Sequence, residues 1–167
     1  MKIFLDMDGV IVDFVRGVKD LTGKNLWEFS HNLRAQWEAI AGVGDFYAKL
    51  EWMPDGKKLY ESLVPFEPIL LTGIPHGKGW PAQKYKWIYQ HLDPIPQCII
   101  KHPGQTKMQA ALETFHLESK PEETWVLIDD TAKMCGQWEN EGGVALRHKN
   151  TEDTLEQLLK LFDTIED

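Results

Sequence analysis

The chain opens with Lys2-Ile3-Phe4-Leu5-Asp6-Met7-Asp8-Gly9-Val10, and the fold of the remaining residues is organised around this stretch. An apolar run that ends in polar residues and a glycine is typical of a buried strand followed by a turn. Asp6 and Asp8 therefore stand where the strand stops, which is where ligands of open α/β sheets gather. Two carboxylates there can bind a hard cation, and one of them can attack phosphorus. The simpler alternative is a helix N-cap beside a loop acid.

Strand-like and helix-like patterns alternate along the rest of the chain. Short apolar runs predict further strands at 66–71, 97–100, 124–128 and 144–146. Helical spacing predicts helices at 10–21, 54–63, 80–92, 106–115 and 131–141, and a last helix that Thr151 caps. Such alternation indicates parallel βαβ units with right-handed crossovers, so we expect an α/β protein with about five strands.

A segment near the N-terminus departs from this alternation. Residues 24–54 contain no strand pattern, and short helical patterns such as Asn32 to Ala41 are separated by glycines. Aromatic residues crowd here, namely Trp27, Phe29, Trp37, Phe46, Tyr47 and Trp52. Most of them are expected to form the core of a small helical unit, because aromatic rings bury large apolar areas. We predict a cap at 20–60, inserted into a core domain formed by 1–19 and 61–167.

Composition limits the function classes. The 167 residues carry a net charge of -8, which disfavours non-specific binding to duplex nucleic acid. Two cysteines without metal-ligand spacing predict a reduced, cytoplasmic setting, and no apolar run reaches membrane-spanning length. The six histidines show no zinc-site spacing. We expect a soluble protein without membrane or duplex nucleic-acid partners.

Further polar residues stand at the predicted strand ends. Thr72 and Gly73 follow the second strand, Lys107 begins the helix after the third, and Asp129 and Asp130 end the fourth. Carboxylates gathered in one place repel each other unless a divalent cation holds them, and Mg²⁺ suits such oxygen ligands. The threonine hydroxyl can bind phosphate oxygens, and the lysine can neutralise the charge that develops during transfer.

These residues, in this order, resemble the four motifs of the haloacid dehalogenase-like (HAD) phosphohydrolases, and the resemblance covers most of the chain. Within that family the text is similar to small 5'-nucleotidases of the deoxyribonucleotidase type. The matching text is Asp6-Met7-Asp8-Gly9-Val10, Asp13-Phe14, Phe46-Tyr47-Ala48-Lys49-Leu50, Leu71-Thr72, Lys107, Leu127-Ile128-Asp129-Asp130, Trp138-Glu139 and Gly142-Gly143.

The resemblance implies a role for each matched residue. Asp6 would be the nucleophile and Asp8 the general acid and base. Asp6, the backbone carbonyl of Asp8 and Asp130 would hold Mg²⁺, with Asp129 in support. Thr72 and Lys107 would bind phosphate beside Gly73. The family topology also implies that the first and fourth strands are neighbours.

Two positions depart from the nucleotidase pattern, and two assignments stay open. Gly73 stands where the nucleotidases often carry serine, and Met134 where they often carry asparagine. Lys101, at the end of the third strand, is the alternative to Lys107 as the phosphate lysine. Asp129 and Asp130 compete for the role of direct metal ligand.

The expected function is hydrolysis of a phosphate monoester through an aspartyl-phosphate, most plausibly of a (deoxy)nucleoside monophosphate. Phe14 and Phe46 are the predicted base-stacking residues, because nucleotidase relatives place aromatics in the corresponding stretches. The alternatives are a phosphatase for a sugar phosphate or a nucleic-acid end, and a module that binds phosphate and Mg²⁺ without turnover. A receiver domain is disfavoured, because its acid pair would follow the first strand rather than the fourth.

Overall fold

Five parallel strands form a single sheet in the order β3-β2-β1-β4-β5. The structure, a computed structural model, describes residues 1–29, 33–75 and 77–166. The strands are β1 (Lys2–Leu5), β2 (Ile69–Gly73), β3 (Cys98–Lys101), β4 (Trp125–Asp129) and β5 (Val144–Arg147). In the register, Leu5 pairs with Leu70 on one side and with Ile128 on the other. The α/β fold, the number of strands and the pairing of the first strand with the fourth are therefore confirmed.

Helices connect the strands and cover both faces of the sheet. They are α1 (Phe14–Thr22), α2 (Leu33–Ala41), α3 (Gly56–Leu63), α4 (Trp80–His91), α5 (Lys107–Thr114), α6 (Ala132–Asn140) and α7 (Thr151–Glu166). Short 3₁₀ helices lie at Leu26–Phe29, Tyr47–Lys49 and Val64–Phe66. In the described ranges, no helix combines the length and the apolarity that crossing a bilayer requires. Asn32, where the pattern begins the second helix, lies outside the described residues.

Several predicted element ends differ from the structure, and local backbone chemistry explains three of the differences. The first helix begins at Phe14 rather than Val10, because residues 10–12 form a turn on the Met7 carbonyl and the Asp13 side chain caps the helix. The second strand begins at Ile69, because a 3₁₀ helix occupies Val64–Phe66 and Glu67, the residue that caps it, has a left-handed conformation. The last helix is capped by the Asn150 side chain, which accepts from the Asp153 N–H, and not by Thr151.

The central strand β1 is buried on both faces of the sheet. Ile3 and Leu5 point into one apolar cluster, whereas Phe4 points into the other. On the second face the Phe4 ring lies 5.1 Å from the ring centres of both Trp125 and Trp138. A strand covered on both sides reads as a continuous apolar run, as the sequence does here. Its carboxyl end is thereby fixed in the middle of the sheet edge.

The aromatic-rich segment leaves and rejoins the sheet domain at one place. Val12 and Trp52 form an antiparallel bridge, and the Asp13 N–H donates to the Glu51 carbonyl at 2.9 Å. The segment between these points is also bound to α4, because the Gln83 side chain accepts from the Tyr47 N–H at 2.8 Å and the Trp87 indole donates to the Leu50 carbonyl at 2.8 Å. We call residues 13–51 the insert. The division into a cap at 20–60 and a separate core stays a prediction.

Gly56, the first residue of α3, lies against the turn that follows β1. A Cβ at this position would stand 2.8 Å from both the Cα and the carbonyl oxygen of Ile11. We expect Gly56→Ala to lower the free energy of unfolding by about 1–3 kcal/mol, as overpacking does, because backbone on both sides would have to move. Denaturant unfolding measures the change. Gly136→Ala is the control, because a Cβ there meets no atom within 4 Å. Equal stability of the two variants would contradict the close packing at Gly56.

Candidate active site

The ammonium group of Lys107 lies between two carboxylates at the carboxyl edge of the sheet. Its Nζ is 2.9 Å from Oδ1 of Asp6, at the end of β1, and 2.6 Å from Oδ2 of Asp129, at the end of β4. Lys107 and Asp6 are largely buried and Asp129 is fully buried. The Asp6 N–H also donates to the Ile128 carbonyl, so the pairing of β1 with β4 sets the spacing of the two acids. The structure thus places Lys107, rather than Lys101, against the predicted nucleophile.

The two consecutive acids after β4 have different surroundings. Both oxygens of Asp129 are engaged, because Oδ1 accepts from the N–H and the hydroxyl of Thr131 at 2.8 Å and Oδ2 accepts from Lys107. Asp130 is only half-buried, and its carboxylate lies against Gly9. Gly9 has a left-handed φ of +79°, and a side chain there would collide with Oδ2 of Asp130. This geometry favours Asp130 as the direct metal ligand and Asp129 as the support of Lys107.

Burial and mutual repulsion shift the ionisation of this cluster. Burial raises the pKa of Asp6 to about 7, and the charges of Asp129 and Asp8 act in the same direction while Lys107 opposes them. Burial and the neighbouring Asp129 also raise the pKa of Asp130. Burial alone would lower the pKa of Lys107, but attraction to Asp6 and Asp129 outweighs it and raises the value. The site therefore concentrates more negative charge than one ammonium group balances.

A divalent cation fits this charge and this donor set. One carboxylate oxygen from each of Asp6, Asp129 and Asp130 lies within 4.8 Å of the others. Hard oxygen ligands at such spacing are those that Mg²⁺ prefers. The geometry is thus consistent with a Mg²⁺ site on Asp6 and Asp130 that Asp129 supports, and the backbone carbonyl of Asp8 remains a predicted further ligand.

The side chain of Asp8 is bound at both of its oxygens. The Tyr47 hydroxyl donates to Oδ1 at 2.5 Å, and Lys84 Nζ donates to Oδ2 at 2.9 Å. Burial and the charge of Asp8 hold the pKa of Tyr47 well above its usual range, so the phenol keeps its proton. Sequence reasoning missed Lys84. The signal was a lysine on the apolar stripe of α4, where Trp80, Trp87 and Ile88 are the other buried side chains.

Two adjoining cavities meet at Asp8. The inner cavity, about 300 Å³, is lined by residues that include Asp6, Asp8, Gly73, Lys101, Lys107 and Asp130. The outer cavity, about 720 Å³, is lined by residues that include Asp8, Phe14, Arg34, Trp37, Trp80 and Lys84. A ligand could extend from the acids into an aromatic chamber between the insert and α4. Asp8 stands at the junction, where a leaving group would have to pass.

Two predicted phosphate residues lie at the end of β2, in different environments. Gly73 lines both cavities. Thr72 is fully buried, and its hydroxyl accepts from Lys84 Nζ at 2.7 Å. Direct contact between Thr72 and phosphate stays a prediction, whereas its contact with Lys84 is part of the structure. Lys101 lines the inner cavity, and the described ion pairs include none between Lys101 and Asp6.

Phe14 and Phe46 do not share the position that the sequence predicted for them. Phe14 is half-buried and lines both cavities. Phe46 is 5% exposed and lies behind Phe14, with the two rings edge to face and their centres 6.0 Å apart. Phe46 is not among the described residues that line either cavity, and its stacking on a base stays a prediction. Trp37 and Trp80 line the outer cavity together with Phe14.

Comparisons with known proteins identify the fold. Neither the protein-family models nor the curated proteins give a match to this chain. Among solved structures, a haloacid dehalogenase-like hydrolase from Streptococcus pneumoniae shares 16% identity, with a TM-score of 0.59 over 93% of this chain and 89% of that one. An L-2-haloacid dehalogenase from Xanthobacter autotrophicus shares 13% identity, with a TM-score of 0.59 over 87% of this chain and 76% of that one.

A third solved structure is a complex with ligands. It is a HAD family enzyme from Bacteroides thetaiotaomicron in complex with magnesium and inorganic phosphate, with 13% identity and a TM-score of 0.54 over 89% of this chain and 93% of that one. At such identities the likeness shows the fold alone. The chain thus has the fold of HAD-like hydrolases, as the strand order and the position of the acids already indicated.

Metal binding at the acids can be tested through stability. At a Mg²⁺ concentration about 100 times Kd, binding should stabilise the folded protein by about 2.7 kcal/mol, so the melting temperature rises by several degrees. Asp130→Asn should lose most of this rise. Asp163→Asn, an exposed change on α7, should keep it. Differential scanning calorimetry with and without Mg²⁺ measures both variants, and an identical rise in the two would contradict the assigned site.

Proposed function

We propose that this protein is a Mg²⁺-dependent phosphomonoesterase that works through an aspartyl-phosphate on Asp6. The observation that carries the proposal is the bridge from Lys107 to Asp6 and Asp129, with Asp130 beside them and Asp8 at the mouth of a second cavity. This arrangement of two strand-end acids, a shared lysine and a further acid at the cavity mouth supports such a reaction. A HAD-like fold, and a structural neighbour described with magnesium and phosphate, support the same class.

Asp6 is the proposed nucleophile. Lys107 holds its Oδ1, so we assign the attack to Oδ2, which forms a bond to phosphorus as the bond to the leaving oxygen breaks. The ammonium group also neutralises charge on the phosphoryl oxygens during transfer. Burial of Asp6 excludes bulk water from the reacting atoms.

Asp8 is the proposed general acid and base. It lines both cavities, so its carboxyl group can give a proton to the leaving oxygen and later take one from the water that attacks the phosphoryl group. That second step returns Asp6 to its free form. Asp6 and Asp130 would hold the Mg²⁺, with Asp129 in support through Lys107, and the bound ion would supply positive charge that orients and neutralises the phosphate.

The outer cavity supports a substrate with a flat apolar group, and we propose a (deoxy)nucleoside monophosphate. Phe14 and Trp37 lie 5.8 Å apart between ring centres, and Trp80 lies 5.7 Å from Trp37. Such a wall offers stacking surface to a base beyond the phosphate. Lys78 adds positive charge to the cavity lining, where Arg34 pairs with Glu38. A small phosphorylated metabolite is thus the proposed partner.

Replacing the nucleophile should abolish turnover and leave the fold intact. We expect Asp6→Asn to lower kcat for any accepted phosphate monoester by at least about a thousandfold, because an amide is not a useful nucleophile toward phosphorus. Steady-state phosphate release in the presence of Mg²⁺ measures the loss. The surface change Asp20→Asn, in an exposed pair with Arg16, serves as control. Near-normal turnover by a folded Asp6→Asn protein would refute the assignment.

The aromatic wall can be tested separately from the phosphate site. Trp37→Ala should lower kcat/KM for a nucleoside monophosphate about ten- to a hundredfold, the loss expected when stacking of about 1–3 kcal/mol disappears. Hydrolysis of acetyl phosphate, which has no ring, should change much less. Trp27→Ala, at a side chain that is 72% exposed, is the matched control.

Three outcomes would count against this part of the proposal. Equal losses on both substrates would assign Trp37 a structural role. Hydrolysis of sugar phosphates or of nucleic-acid ends, without hydrolysis of nucleotides, would move the substrate to those classes. Binding of phosphate and Mg²⁺ without turnover on any ester would indicate a non-catalytic module.

A further inference from the structure

The side chain of Asp8 is fixed by residues from two separate parts of the chain. Tyr47 belongs to the insert, whereas Lys84 belongs to α4 in the sheet domain. Each binds one oxygen of Asp8, at 2.5 Å and 2.9 Å respectively. Rotation about the side-chain bonds of Asp8 would break one contact or both. The carboxylate is therefore held in one orientation only while the insert lies against α4.

Lys84 is an unusual residue for a structural role alone. Its side chain is 2% exposed, and an ammonium group is costly to bury unless it is paired and hydrogen-bonded. Its described partners are the carboxylate of Asp8, the hydroxyl of Thr72 at 2.7 Å and the face of the Tyr47 ring at 4.2 Å. The first of these partners is the proposed acid and base itself, and Tyr47 also binds Asp8. An apolar side chain would fill the same space on α4 without this cost.

We infer that Lys84 and Tyr47 are positioning residues that aim the Asp8 carboxyl group at the leaving oxygen and, later, at the attacking water. The inference rests on the proposed phosphomonoesterase function. It adds the requirement that the insert lies against α4 during the reaction. Each carboxyl oxygen has two lone-pair sites, so the contacts with Tyr47 and Lys84 leave one site on each for the transferred proton. Neither Tyr47 nor Lys84 gives up a proton in this scheme.

The protons and bonds balance over the two steps. In the first, the bond from Asp6 to phosphorus forms, the bond to the leaving oxygen breaks, and the proton of Asp8 moves to that oxygen. In the second, a bond from water to phosphorus forms, the bond to Asp6 breaks, and Asp8 takes the proton of the water. An ester with a good leaving group needs no proton in the first step but still needs the base in the second.

The difference between the two kinds of ester distinguishes a positioning role of Tyr47 and Lys84 from a purely structural one. For Tyr47→Phe and Lys84→Met, kcat/KM for ethyl phosphate should fall about ten- to a hundredfold, a part of what acid catalysis supplies. For 2,4-dinitrophenyl phosphate, kcat/KM should stay within about threefold of wild type, because it reports only the first step. With that ester kcat should fall, and dinitrophenolate should appear in a burst when the second step limits turnover.

The chain offers a matched control for each variant. Tyr60→Phe removes a buried hydroxyl that donates to the Pro94 carbonyl. Lys86 is on the same helix as Lys84, and Lys86→Met removes an exposed ammonium group that pairs with Asp45. Both should keep wild-type kinetics on both esters. In an Asp8→Asn background, Tyr47→Phe should cause no further loss, because coupled residues are not additive.

The outcomes distinguish this inference from the function on which it rests. Equal losses of kcat/KM on both esters, no loss on either, or a further full loss in the Asp8→Asn background would each overturn the positioning role alone. No hydrolysis of either ester by the wild type with Mg²⁺ would overturn the phosphomonoesterase function and the positioning role together. If Lys84→Met fails to fold, Tyr47→Phe, which keeps the ring and its packing, decides the question.

Discussion

The ammonium group of Lys107 between Asp6 and Asp129 is the interaction on which the rest of this structure depends. It joins the ends of β1 and β4 to the start of α5, and all three side chains are largely or fully buried. Removing one partner of a buried ion pair costs about 3–5 kcal/mol, because the remaining charge stays buried without compensation. The same contact positions Asp6, the proposed nucleophile, and holds the neighbouring Asp129 in place. The contacts of Lys107 with Asp6 and Asp129 therefore both stabilise the sheet edge and orient the proposed nucleophile.

The insert supplies what the sheet edge lacks. It is joined to the sheet domain at Val12 and Trp52 and packs on α4, so a chamber lined by aromatic side chains opens beside the acids. Tyr47 connects the insert to the acids, because its hydroxyl binds the carboxylate of Asp8. The proposed recognition of a group beyond the phosphate and the orientation of the proposed acid would thus both depend on the contact between the insert and α4. A HAD-like fold that is only distantly similar in sequence to its neighbours can acquire its own specificity in this way.

The sequence was sufficient to predict the features that depend on local pattern. Apolar runs that end in Asp6, Thr72 and Asp129 predicted the strands, and parallel topology then required their ends to meet at one edge. Contacts between residues far apart in the chain could not be predicted from the sequence. Lys84 gave only the weak signal of a charge on an apolar stripe, and the burial of Phe46 behind Phe14 depends on how the insert packs. Helix starts were displaced where a side-chain cap such as Asp13 or Asn150, rather than apolar spacing, decides the first turn.

The central claim is that Asp6 becomes covalently phosphorylated, and chemical trapping tests it most directly. The protein would be mixed with a phosphate monoester and Mg²⁺, quenched during turnover, and reduced with borohydride, which converts an aspartyl-phosphate into homoserine. Peptide mass spectrometry then locates the changed residue. The account predicts homoserine at position 6, dependent on substrate and absent when substrate is omitted. Homoserine at another aspartate, or unmodified Asp6 in protein that is turning over substrate with its phosphoenzyme accumulating in a burst, would contradict it.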